Sequence, residues 1–199
     1  DLNPQEAGEA IAKVSNIFNI PIPNIEKLGD AINQLGNNTA ATERNIISVL
    51  ARVGGTAKQF GLSAKQTAAL ADAFLALGKP PEVAATAINA LLLKLQTARV
   101  QSKGFQSTLK LLGIDLNQLA QTIQSDPQKA LNGFLQTLSK LDKQSQAETL
   151  TKLFGQEYSD DIALLVGSLG QYEKALKLVS DESSYAGLVN DEFSKRIAT

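Results

Sequence analysis

The sequence predicts an all-α fold, a compact multi-helix bundle of antiparallel helical hairpins with no sheet. Apolar residues recur three and four apart in segment after segment, the spacing that gathers them on one face of a helix. Capping residues and glycine or proline stops punctuate those segments every ten to twenty residues or so. Strand signals are lacking: there is no sustained alternation rich in β-branched residues, and no Asn-Gly turn between alternating segments.

Asn3 and Pro4 open a first helix that runs to Phe18, and Pro21-Ile22-Pro23 breaks any continuation. Asn24 is placed to cap the second, whose Ile25, Leu28, Ile32 and Leu35 form one stripe before Gly36 stops it. Thr39 or Thr42 caps a third that carries Ile46, Ile47 and Leu50 and closes at Gly54 and Gly55, after which a short helical turn leads to Phe60. Ser63, with Gln66 three residues on, starts a fourth by a reciprocal capping box. Its Leu70, Phe74 and Leu77 fall at i, i+4 and i+7, and Gly78 supplies the left-handed residue that ends it. Pro80 and Pro81 suit the first positions of a fifth helix, and Glu82 favours its positive N-terminal dipole. There Ala84, Ile88, Leu91 and Leu95 repeat the stripe, while Leu91, Leu92, Leu93 and Leu95 together wrap more than one face, which fits a helix buried from several sides or, alternatively, one face left open for a partner helix or for self-association with another copy.

From Thr97 to Gly104 the sequence turns polar and loses its period, so it reads as a hinge between an N-terminal helical subdomain, 1–99, and a C-terminal one, 100–199, the two making one module. Beyond it come a short helix ending at Gly113 and another from Asp115 to Gln124. Asp126 then caps a helix with Pro127 in its first position and Leu131, Leu135, Leu138 and Leu141 toward the core. Three more are expected near 144–154, 158–169 and 171–179, and a final one near 187–198. The hairpins do not repeat in register, so a helical solenoid remains only an alternative arrangement.

Composition narrows the function. At 199 residues, with 43% hydrophobic and 20% charged residues, the chain is long and apolar enough to bury a core. Its 19 basic and 20 acidic residues leave a net charge of -1, which provides no global field to attract nucleic acid or an anionic membrane. Eight of the 20 acidic residues lie between Glu157 and Glu192, a solvated face or else a docking surface for a basic partner. There is no Cys for a disulfide or thiolate zinc site, and no His to act as general base or metal ligand. The longest apolar stretch, from Ile162, is far short of the ~20 residues that span a bilayer. The chain has no Met and begins at Asp1, so it is expected to be an internal piece of a longer polypeptide.

No residue qualifies for a catalytic, cofactor-binding or metal role, and the chain is expected not to be an enzyme. Asp160 and Asp161 are adjacent, and neighbours on a helix point about 100° apart, so they do not converge on a reacting atom; a helix cap followed by a dipole-stabilised acid accounts for them. Gly54-Gly55-Thr56 with Lys58 lacks both the spacing and the preceding strand of a phosphate loop. Tyr158, Tyr172 and Tyr185 are expected to cover helix faces with their hydroxyls at the surface.

The order of segments is more specific than any one of them. The Gly61-Leu62-Ser63 start, the Ala-rich helix, the Leu77-Gly78 stop and the Glu82-Val83-Ala84-Ala85 helix resemble the core module of phage tail tape measure proteins. In the same order as in such modules follow LLGIDLNQL (111–119), DPQKALNGFLQTLSKL (126–141), LTKLFGQEYSDDIALLV (150–166) and YAGLVNDEFSKRIAT (185–199). The resemblance implies a non-enzymatic virion component that acts in tail assembly and tail-length determination. It implies tail tube subunits and tail assembly chaperones as partners, with the virion tail, and the host cytoplasm during assembly, as location. A helical adaptor or scaffold that binds protein partners is the alternative.

Overall fold

The computed structural model describes residues 3–187. Every regular element among them is helical, so the all-α prediction holds. The order is α1 (Pro4–Ile17), α2 (Ile22–Asn38), α3 (Glu43–Phe60), α4 (Ala64–Ala76), α5 (Pro81–Gln96), a 3-10 turn (Ala98–Val100), α6 (Lys103–Leu111), α7 (Leu116–Ser125), α8 (Pro127–Ser139), α9 (Lys143–Val166), α10 (Leu169–Ser180) and α11 (Glu182–Tyr185). The helix expected near 187–198 lies outside the described residues.

Local chemistry explains most boundaries. Asn3 and Ser63 each form the full capping box, with Glu6 and Gln66 respectively returning a bond to the cap backbone. Thr42 Oγ1 accepts from the Asn45 N–H, and Asp115, Asp126 and Asp142 each accept the N–H three residues on. Each such bond satisfies a donor the helix leaves free and contributes about 1 kcal/mol. Gly78, at φ 89°, ends α4 as the sequence requires.

Three boundaries differ from expectation. Asn24 does not cap α2: the helix starts at Ile22 with Pro21 as its cap and Pro23 in its first turn, because the earliest helical N–H groups have no intrahelical acceptor and proline sacrifices nothing there. α2 also passes Gly36 and ends at Asn38, closed by the Thr39 N–H on the Leu35 carbonyl. Nor do Gly54 and Gly55 stop α3, which continues through them to Phe60.

Packing gives the two glycines different roles. A Cβ on Gly54 would lie 2.6 Å from Ile17 Cγ2 and 3.3 Å from the Phe18 ring, whereas one on Gly55 would meet nothing within 4 Å. Gly54 therefore lets the end of α1 approach closely, and Gly55 is only a weak point in an exposed helix surface. Opposite results are expected for neighbouring substitutions in chemical denaturation. Gly55→Ala should stabilise by up to about 1 kcal/mol through helix propensity, while Gly54→Ala should destabilise by about 1–2 kcal/mol as overpacking outweighs the same gain.

The chain forms two compact units, with the path switching from one to the other after Gly55, Leu62, Ala85 and Leu169. In the first unit α2 packs against α1, α4 and α11, and the buried residues include Val14, Leu28, Ile32, Leu35, Ile46, Leu50, Leu70, Phe74 and Tyr172. In the second, α9 packs on α6 and α8, and α7 on α8, around Leu109, Leu131, Leu135, Leu138, Leu150 and Phe154. Of the four leucines on α5, Leu91, Leu92 and Leu95 are buried, but Leu93 is 52% exposed, so the helix is enclosed on most sides and not all.

Candidate functional site

The first unit holds a polar cluster in an otherwise apolar interior. Asp72 sits mid-way along α4, among Leu70, Ala71, Ala73 and Phe74, and is 0% exposed. Its Oδ1 lies 2.5 Å from Thr39 Oγ1, at the end of α2. Thr39 Oγ1 is also 2.9 Å from the Leu35 carbonyl and accepts from the Ala41 N–H at 3.2 Å. A hydroxyl has one proton and two lone pairs. Thr39 Oγ1 is within donating distance of both Asp72 Oδ1 and the Leu35 carbonyl and has one proton to share between them. The other carboxyl oxygen, Oδ2, is buried without a partner, which would be costly for a charged group and is milder for a neutral one. Burial accordingly raises the Asp72 pKa to about 6, with the Thr39 bond and the Lys174 charge pulling the other way.

Lys174, on α10, donates to the Asn38 carbonyl at 2.9 Å and so occupies the negative end of α2. It also lines an open groove with Gln34, Gly170, Glu173, Lys177, Leu178 and Asp181. Glu182 meets Lys65 at 2.6 Å and Lys27 of α2 at 3.8 Å, and Lys65 above all holds its carboxyl below the usual range. The Gly187 N–H donates to the buried Asp30 at 2.9 Å. These contacts fasten the chain after α10 back onto α2 and α4. They are structural in character: Asp72 is closed to solvent, and no nucleophile and base are brought together around it.

The residues weighed in the sequence fall elsewhere. Asp160 and Asp161 lie inside α9 and cap nothing, because the stretch beyond the break at Gly155 is already helical before them; Asp160 is exposed and Asp161 buried, so they diverge. Gly54 to Lys58 form part of α3. Tyr158 is half-buried, but Tyr172 is 1% exposed, contrary to a surface position; the side chain of Tyr185 lies outside the described residues. Of the acidic stretch, Glu157, Asp160 and Asp161 belong to the second unit and Glu173, Asp181 and Glu182 to the first. Asp191 and Glu192 lie outside the described residues. Among the described residues no three acidic side chains gather in a way that could hold a metal ion, and no helix is long and apolar enough to cross a membrane. The Asp72 cluster is not legible in the sequence: two positions from Leu70 and from Phe74, an aspartate stands about 200° around the helix from their stripe and reads as exposed, and only the alanines beside it leave room for a close neighbour.

Comparison with known proteins gives a consistent result. A family model described as phage-related minor tail protein matches residues 1–155. A protein of Halomonas phage phiHAP-1, described as a probable tape measure protein, is 31% identical over 187 residues. That alignment covers 94% of this chain but 22% of the relative, so the chain spans about a fifth of that protein's length. No solved structure matches the chain.

Proposed function

This chain belongs to the phage-related minor tail protein family, and from that membership we propose that it is a non-enzymatic structural module of a phage or prophage tail tape measure protein. The observation that carries the reading is that identity to the tape measure relative runs through 94% of the chain and is not confined to one amphipathic hairpin. The module, 1–199, is an internal part of a longer protein that acts in tail assembly and in setting tail length. Its partners are tail tube subunits and tail assembly chaperones, and its place is the virion tail, reached from the host cytoplasm during assembly.

The fold bears on which share of that work falls to this module. A single helix of this length would reach about 300 Å. The longest described helix, α9, has 24 residues and is bent at Gly155; even straight, it would be about 36 Å long. The helices between the breaks are amphipathic and bury their apolar faces within the two units. Length information therefore resides in other parts of the parent chain, and this module serves folding, chaperone engagement or attachment. Deleting the module from a viable phage and measuring particles by electron microscopy tests this. Loss of tails is the expected result; intact tails shortened in proportion to the deletion would make the module part of the ruler instead.

A further inference from the structure

Helix α9 is interrupted at a single residue. Gly155 adopts φ 73° and ψ 172° inside the helix, a region that side-chain-bearing residues avoid. A Cβ there would meet nothing within 4 Å, so backbone conformation alone, and not crowding, reserves the position for glycine. A residue at these angles prevents the Glu157 N–H from closing its helical bond on the Leu153 carbonyl. That carbonyl instead accepts from Lys94 Nζ, on α5, at 2.9 Å. The same ammonium stands 5.9 Å from the centre of the Phe154 ring, which meets Phe134 of α8 edge-on at 6.1 Å. All of these residues lie within the second unit.

The break also resets the phase of the helix. The first half buries Leu150, Leu153 and Phe154, and the second Ile162, Leu165 and Val166. At 100° per residue, those two triplets would centre roughly 120° apart around an unbroken helix. The bend lets both be buried, so it is the ground state of the isolated chain, and Lys94 satisfies the Leu153 carbonyl, one of the three whose helical bonds would span Gly155. We propose that α9 is a two-state helix, bent at Gly155 and latched in the bent form by Lys94, whose release lets it run straight through 143–166.

The absence of cysteine makes the test direct, because two introduced cysteines are the only labelling sites. Spin labels at Ala147→Cys and Ala163→Cys would stand about 24 Å apart along a straight helix. The otherwise unaltered chain should give a shorter distance between the labelled backbones. Lys94→Met, which keeps the stem and removes the donor, and Gly155→Ala, which disfavours the bent angles, should each add or enlarge a population near the straight value. Lys94→Arg should retain the short distance. An unchanged distance distribution in both Lys94→Met and Gly155→Ala, with helix content preserved, overturns the proposal. So does a Lys94→Met chain that unfolds while Gly155→Ala stays bent, since Lys94 would then be a packing residue and not a latch.

Discussion

Tyr172→Ala is expected to destabilise the first unit by about 3–5 kcal/mol, the range for removing a large buried ring. Tyr172 is among the largest fully buried side chains of the protein, and α10 offers no neighbouring large ring to collapse into the space. Tyr172→Phe keeps the ring and loses only the hydroxyl, so its cost should stay near 1 kcal/mol. Urea denaturation followed by hydrogen exchange separates the outcomes: the alanine variant should lose protection in α2, α4 and α10. Equal, small effects from both substitutions would mean that the ring is not packed as described.

Asp72→Asn should have the opposite sign at neutral pH. Asp72 titrates at about 6 in the folded chain against an ordinary value of 3.8. The folded state thus holds the proton more tightly, and the group's stabilising effect is complete below pH 3.8 and lost as pH rises through about 6. At 1.36 kcal/mol per unit, the loss approaches 3 kcal/mol by pH 8. Asparagine keeps the shape and stays neutral, so the variant should be more stable than the parent at pH 8, by as much as about 3 kcal/mol less the lost attraction to Lys174. At pH 4 the two should converge. Unfolding free energies measured across that range check the prediction, and parallel pH profiles would show that Asp72 is not the titrating group.

These two residues also mark how far a sequence carries. Caps are written locally: Ser63 and Gln66, Asp115, and Asp126 with Pro127 each satisfy bonds within four residues, and the helices begin where they specify. What the sequence does not contain is the identity of the opposing surface. Gly54 reads as a stop until Ile17 is seen filling the place of its side chain. Tyr172 has a polar tip that suits a surface, and only packing buries it. Asp160 and Asp161 look like a start because Gly155 precedes them, yet the helical stretch beyond the break at Gly155 has already begun before them. The candidate cluster was equally hidden: Thr39, Asp72 and Lys174 are separated by 33 and 102 positions, and no periodicity links them.

The division of the chain between its two units has a consequence for how the protein is made. The second unit uses Thr56–Leu62 and Thr86–Leu169, so all of its parts have been synthesised once residue 169 has left the ribosome. The first unit, though it holds the earliest helices, also needs α10 and α11, and must wait for them with α2 and α4 only partly covered. The order of completion is therefore the reverse of the order of synthesis, and for as long as translation takes, at about 5–20 residues per second, the early helices present an apolar surface to whatever is nearby. A nascent chain arrested near residue 155 should be the form that a holding chaperone binds best.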